Sequence, residues 1–312
     1  MTCSPPILSI ICPCFNEQET IALFTNTICN VLNQTAYNYE LIFINDGSTD
    51  NTLLEMNKQL HKNASVRIIN LSRNFGKEAA LTAGLDHAQG EVIIPIDVDL
   101  QDPPELIHDF LQEWENGFQV VLAKRIDRNS DSLVKKITAS LFYKVHNSIA
   151  DVSIPDNVGD YRLITRQVVE AIQELPENQR FMKGVFSWVG FKTTVVEYTR
   201  QPRSAGKTSF NTWKLWNFAL DGITSFSTVP LRVWLYLGLI CSMSAFCYGS
   251  IIVLKTLLFG VDVPGYSSLI TIILFLGGVQ LIGLGVMGEY IGRLYLESKR
   301  RPVYIIESDT KC

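Results

Sequence analysis

The chain has 312 residues, of which 47% are hydrophobic and 19% charged, and its net charge is −4. Such a composition excludes a disordered chain and leaves room for one large α/β domain plus an appendage. Residues 1–229 carry 20 Lys and Arg against 26 Asp and Glu, and residues 230–312 carry 7 against 5, so an acidic N-terminal part argues against general nucleic-acid binding.

Residues 7–124 alternate strand and helix patterns. Ile7–Cys12 reads as a buried strand. Asn16 then reads as a helix cap, with Glu19 completing a capping box. Glu40–Asn45 is the second strand, closed by Asp46-Gly47-Ser48, and Val66–Leu71 is the third. Gly76–His87 reads as a helix, Val92–Ile96 as the fourth strand and Phe118–Ala123 as a fifth. Strands alternating with helices imply a mostly parallel sheet with crossover helices on both faces. Ligands of such sheets bind beyond the carboxyl ends of the strands. The loops after Cys12, Asn45 and Ile96 all lie there.

The seven cysteines are odd in number and form no CxxC. Cys12 and Cys14 share one face of a strand, which suits small core residues better than zinc, and reduced thiols are expected. The N-terminus shows no basic segment followed by an apolar core, so no cleaved signal peptide is expected. Residues 212–225 read as an amphipathic helix on a membrane surface, between an expected α/β domain over 1–211 and the apolar tail.

Val233–Leu254 holds 22 residues without a charge, and Val263–Gly288 holds 26. Each exceeds the roughly 20 residues that span a hydrocarbon core, and core helices of globular proteins rarely run so long uncharged. The short link makes them a hairpin, residues 230–292. Arg232 precedes it, and Arg293, Lys299, Arg300 and Arg301 follow it. The positive-inside rule therefore places both flanks, including a tail over 293–312, in the cytoplasm of an inner-membrane protein. Gly288-x-x-x-Gly292 in the second span suits either packing within the hairpin or a homo-oligomer.

Four loops offer chemistry. Pro13-Cys14-Phe15-Asn16-Glu17 has backbone and a carboxylate for a base and ribose, although a strand end and helix cap is the plainer reading. Asp46 suits an acceptor for a base N–H, although an Asp-Gly turn explains it equally. Asp97-Val98-Asp99-Leu100-Gln101 ends an apolar strand and directs hard oxygens toward one point. Asp99 is the expected direct metal ligand, Asp97 reaches nucleoside or metal, and Gln101 supports them. Arg200, Arg203 and Lys207 mark a basic, flexible loop, and Arg125 and Arg128 a second basic point. One cluster is expected to hold a donor diphosphate and the other an acceptor phosphate.

These residues resemble the polyprenyl-phosphate glycosyltransferases of family 2, with a GT-A fold, and most of all the bactoprenol glucosyltransferase group. The likeness rests on Phe43–Ser48, Arg73–Glu78, Ile94–Pro103, Leu122–Arg125, Asn157–Leu163, Phe181–Gly184, Gly222–Ser227 and Gly288–Arg293. It implies a Rossmann-like catalytic domain followed by two transmembrane helices. It also implies a UDP-sugar donor, glucose by preference, an undecaprenyl phosphate acceptor, and Mg²⁺ or Mn²⁺ at Asp97 and Asp99. By the same likeness Pro13, Phe15, Asn16, Glu17 and Asp46 line the nucleotide pocket, and Arg200 and Arg203 clamp phosphates. One departure stands in the Arg-x-x-Gly-x-Ser-Lys loop. Thr208 and Ser209 replace its Ser and Lys, and a Lys appears at 207.

A phosphate monoester carries about −1.5 to −2 charge at pH 7, so the acceptor is already a nucleophile. A single displacement inverts the anomeric centre. Asp97, Asp99, Asp160, Arg125 and Arg203 are the expected catalytic set, with Asp160 orienting Arg residues or a sugar hydroxyl rather than acting as a base. Rival readings are a mannosyl or aminoarabinosyl lipid synthase, a processive polysaccharide synthase, and a non-catalytic scaffold or flippase. No Arg-Trp pair supports the processive enzyme.

Overall fold

The computed structural model describes residues 7–126, 155, 157–178, 180–199, 227–259 and 265–311. The strands are β1 (Leu8–Cys14), β2 (Tyr39–Asn45), β3 (Val66–Leu71), β4 (Val92–Pro95), β5 (Val120–Arg125), β6 (Val158–Thr165), β7 (Thr193–Tyr198) and β8 (Ile306–Lys311). The helices are α1 (Ile21–Leu32), α2 (Thr52–Leu60), α3 (Lys77–His87), α4 (Leu106–Glu115), α5 (Arg166–Gln173), α6 (Met182–Trp188), α7 (Val229–Phe259) and α8 (Tyr266–Ser298).

All eight strands join one sheet in the order β7-β5-β6-β4-β1-β2-β3-β8. β1 pairs in parallel with β2 and β4, and β2 with β3. β6 runs antiparallel to both β4 and β5, and β8 antiparallel to β3. The five strands read from sequence are present. Strands β6, β7 and β8 complete the sheet beyond them.

Both faces of the sheet are covered, which is why β1, β2 and β4 read as nearly unbroken apolar runs. Leu8, Ile10, Cys12 and Cys14 pack with Phe24 and Ile28 of α1 and Phe110 of α4. Ile11 turns to the opposite layer, with Ala80, Ala83 and Val185 of α3 and α6. Each fully buried Leu, Ile, Val or Phe among them contributes roughly 1.5–3 kcal/mol. Cys12 and Cys14 are buried free thiols, as small core residues, and burial pushes both well above the ordinary thiol range.

The expected capping box at Asn16 is not formed. α1 starts at Ile21 after Thr20, and Asn16 adopts φ 56°. Its side-chain oxygen accepts from the backbone N–H of Thr49 at 2.9 Å, so it ties the loop after β1 to the loop after β2. The backbone of this left-handed turn cannot also begin a helix.

α7 extends beyond the expected span at both ends, whereas α8 begins at Tyr266 and runs past the expected end at Gly288 to Ser298. Both helices are long and apolar enough to cross a membrane, and neither candidate span is buried against protein. Phe246, Leu257 and Phe259 are each more than three-quarters exposed, an arrangement suited to hydrocarbon rather than water. Gly283 lies against the ring of Trp234, where a Cβ would sit 3.1 Å away, so one glycine of α8 serves packing within the pair. A Cβ at Gly288 or Gly292 would meet nothing within 4 Å. The expected surface helix over residues 212–225 lies outside the described residues.

The C-terminal segment is not a loose tail. Glu297 at the end of α8 accepts from the Asn178 backbone N–H at 3.0 Å. β8 then adds to the edge of β3. Arg67 donates to both oxygens of Asp309, at 2.8 and 2.6 Å, and Asn70 donates to Glu307 at 2.7 Å. Tyr304 donates to Asp86 at 2.8 Å.

Candidate active site

In the parallel core, β1 leads toward β2 and β3 on one side, while β4 lies on the other. Strand order therefore reverses between β1 and β4, the point beyond whose carboxyl ends sheets of this kind form their ligand crevice. The loop after β1 holds Phe15, Asn16 and Glu17. The loop after β4 holds Asp97, Asp99 and Gln101. Pro13 lies within β1 itself, paired with Ile44.

The β1 and β2 loops are fastened to each other. Glu17 N–H donates to Thr52 Oγ1 at 2.8 Å, and Asn16 N–H to Ser48 Oγ at 3.0 Å. Phe15 and Asn16 remain exposed at the crevice. Asp46 makes protein contacts of its own. Its carboxylate is buried and accepts from the N–H groups of Phe75 and Gly76 at 2.7 and 3.0 Å. It thereby satisfies open donors at the start of α3. Burial pushes its carboxyl above the usual range, against those two backbone bonds.

Leu100 has φ 54°, an unusual conformation for a bulky residue. The turn brings the Gln101 N–H to Asp99 Oδ1 at 3.1 Å. Asp99 is buried, whereas about a third of the Asp97 side chain is exposed. The turn folds Asp99 inward and leaves Asp97 the more exposed of the two.

Lys77, at the start of α3, was missed as a site residue. Its Nζ lies 2.8 Å from Asp97 Oδ1 and 2.9 Å from Oδ2. The same ammonium lies 2.8 Å from Asp160 Oδ2. The β4–β6 register explains the meeting. Val92 faces Thr165 and Ile93 faces Ile164, and continuing that antiparallel register sets Asp160 opposite Asp97. Burial alone would raise the Asp160 carboxyl, but Lys77, Lys183 and Arg162 hold it well below the usual carboxylate range. Nearly half of the Lys77 side chain stays exposed, and Asp160 and then Asp97 hold its pKa above that of an ordinary lysine. Neighbouring Glu78 is pushed up to about 7, by burial first and then by the Asp160 charge.

Arg125 is set by a second group. Its Nε donates to Tyr198 Oη at 3.1 Å, and its Nη2 lies 3.8 Å from Asp102. Tyr198 in turn donates to Asp102. Burial opposes the Arg125 charge, but Tyr198 and Asp102, with Asp97 adding to them, raise its pKa above the ordinary value. The structure thus brings Asp97, Asp99, Asp160 and Arg125 to one edge. Arg128, Arg200, Arg203 and Lys207 lie outside the described residues.

Among the described residues, no three His, Cys, Asp or Glu side chains converge to hold a metal by themselves. Two carboxylates at a strand end still fit a magnesium-type ion, which takes one or two protein carboxylates and completes its shell with substrate phosphates and water. Asp97 is the more accessible carboxylate of the pair.

Residues 9–173 match the family model for glycosyl transferase family 2, and residues 229–294 match the GtrB C-terminal hairpin. The chain is 54% identical to the bactoprenol glucosyl transferase of Shigella phage SfV over 97% of this chain and 98% of that one. It is 54% identical to the prophage bactoprenol glucosyl transferase homolog of Escherichia coli K12, over 96% and 98%. It is 53% identical to an uncharacterized glycosyltransferase of Synechocystis, over 96% and 94%. With its GT-A sheet, its carboxylates at the β1–β4 crevice and these matches along nearly its whole length, the chain belongs to glycosyltransferase family 2 and is a glycosyltransferase.

Proposed function

We propose that the chain transfers glucose from UDP-glucose to undecaprenyl phosphate at the cytoplasmic face of a membrane, with inversion at the anomeric carbon. The observation that carries this reading is the 54% identity to bactoprenol glucosyl transferases, continuous through catalytic domain and hairpin. A mannosyl or aminoarabinosyl donor is the second reading, since hydroxyl recognition depends on scattered loop residues.

Asp97 and Asp99 would hold Mg²⁺ or Mn²⁺, and such an ion neutralises charge on a departing diphosphate. Phe15, Asn16 and Glu17 line the nucleotide side of the crevice. Arg125, braced by Tyr198 and Asp102, presents a fixed guanidinium to a phosphate. Asp160 is held so firmly ionised that it is a poor proton acceptor. It suits a charged orienting role, and an acceptor that is already anionic needs no base.

The hairpin is read as two membrane spans. Glu297 fastens the end of α8 to the catalytic domain, and Tyr290 donates to Ser227 just before α7 at 2.6 Å. Both ends of the hairpin therefore return to one side, where Arg293, Lys299, Arg300 and Arg301 gather. A lipid-borne phosphate would meet the crevice there.

The test incubates the full-length protein with short-chain polyprenyl phosphate and a panel of UDP-sugars and other nucleotide sugars, and weighs the lipid product. A hexose adduct formed from UDP-glucose alone supports the proposal. No adduct from any donor refutes it, and an adduct from another donor only moves the assignment to the second reading.

A further inference from the structure

Lys77 occupies the position that a metal on Asp97 would need. Its ammonium sits in the fork of that carboxylate, within 2.9 Å of both oxygens. A divalent ion held by Asp97 would have to draw on the same two oxygens, and it would need closer contacts than an ammonium makes. One carboxylate cannot give its fork to both cations. Lys77 also has a second anchor, Asp160, at 2.8 Å. It can leave Asp97 without losing every partner.

Without the Lys77 ammonium between them, Asp97 and Asp160 would stand near each other as two like charges. Lys77 removes that repulsion before any ligand arrives. An incoming diphosphate changes the balance. It brings negative charge that gives Lys77 an alternative partner, and oxygens that complete the shell of the ion.

We infer that Lys77 is a resident counter-cation that makes metal capture at Asp97 conditional on a bound nucleotide diphosphate. The inference rests on the metal reading of Asp97 and Asp99 given above. It makes Lys77 a positioning residue, acting through Asp97 and Asp160. The donor-free enzyme keeps a closed ion triad, and the ion enters with the donor rather than ahead of it.

The test measures Mn²⁺ binding by electron paramagnetic resonance on the full-length protein in detergent, with and without UDP. Wild type is expected to bind Mn²⁺ weakly alone and far more tightly with UDP. Lys77→Gln is expected to bind Mn²⁺ about tenfold or more tighter without UDP, since a competing unit charge at contact distance is gone. Much of the UDP dependence should disappear with it. Lys77→Arg, which keeps the charge, should stay near wild type. Lys77→Met serves as a second neutral variant, and melting curves check that each protein is folded. Wild type that binds Mn²⁺ only with UDP, beside a folded neutral variant with unchanged or weaker UDP-free binding, overturns this inference alone. Absence of Mn²⁺ binding to wild type even with UDP overturns the metal reading, and this inference with it.

Discussion

Tyr198 donates its phenol hydrogen to Asp102 while accepting one from Arg125, so a residue of β7 joins the loop after β4 to the end of β5. This link fixes the direction of the one site arginine among the described residues. Tyr198→Phe removes the hydroxyl and both bonds at once. Activity should fall about ten- to a hundredfold through misplacement of Arg125. Stability should fall by about 1–3 kcal/mol, because buried polar groups lose a partner. Steady-state kinetics and thermal melts check the two effects, and a variant with wild-type kinetics would remove Arg125 from the site.

Asp97→Asn and Asp99→Asn address the strand-end carboxylates directly. Each keeps the shape and removes the charge. Transfer is expected to fall by about a hundredfold or more, and raising Mg²⁺ or Mn²⁺ should not restore it. Recovery of full rate at high metal would show that the lost group only tuned affinity.

Glu78 gives a pH signature. Its folded pKa of about 7 lies above its ordinary value, so its burial is unfavourable once it is charged. That penalty is fully present above pH 7, shrinks as pH falls through the folded value, and is gone below the ordinary carboxylate range. Glu78→Gln should therefore stabilise the protein by about 1–3 kcal/mol at pH 8 and by close to nothing at pH 4. Melting curves across that range measure the difference, and equal shifts at both ends would contradict it.

Gly47 adopts φ 62°, and a Cβ there would lie 2.3 Å from the carbonyl carbon of Arg73. Backbone, not a flexible side chain, is in the way. Gly47→Ala should cost about 2–4 kcal/mol through strain and displacement of the loop after β3. Asn74 donates to the Asp46 carbonyl at 3.2 Å beside it, so UDP affinity should weaken too. Calorimetry reads both quantities.

Arg67 is buried at the β3 edge, with Asp309 as its bidentate partner. Asp309→Ala is expected to destabilise the catalytic domain by about 1–3 kcal/mol. Arg67 holds the Asp309 carboxyl below its usual range, so the contribution is present above the ordinary carboxylate pKa and lost as pH falls through the lowered value. Urea melts of Asp309→Ala against wild type at pH 7 and at pH 3 should show the gap narrowing.

Much of this arrangement was legible because apolar runs mark strand ends. Val92–Ile96 places Asp97 and Asp99 at the crevice without any tertiary information. Lys77 was not legible in that way. It stands twenty positions before Asp97, at the start of a helix, where a lysine ordinarily faces solvent. Only an antiparallel β6 beside β4 brings Asp160 to meet it, and no local pattern reports that pairing. Tyr198 is hidden for the same reason. β8 escaped notice because an edge strand with one side in water, Ile-Glu-Ser-Asp-Thr-Lys, needs no apolar alternation. The Asn16 pattern misled because a correct capping spacing says nothing about a left-handed turn that binds another loop instead.

The strand that finishes the catalytic sheet is synthesised after both long helices. A nascent chain can pair β1 to β7 early, but the β3 edge stays bare until the hairpin has left the ribosome. Synthesis of the hairpin thus precedes final closure of the sheet, and a chain stalled within the hairpin exposes an open β3 edge. A bulky fusion placed directly after Lys311 would press on that last-formed strand, so a flexible spacer belongs between them.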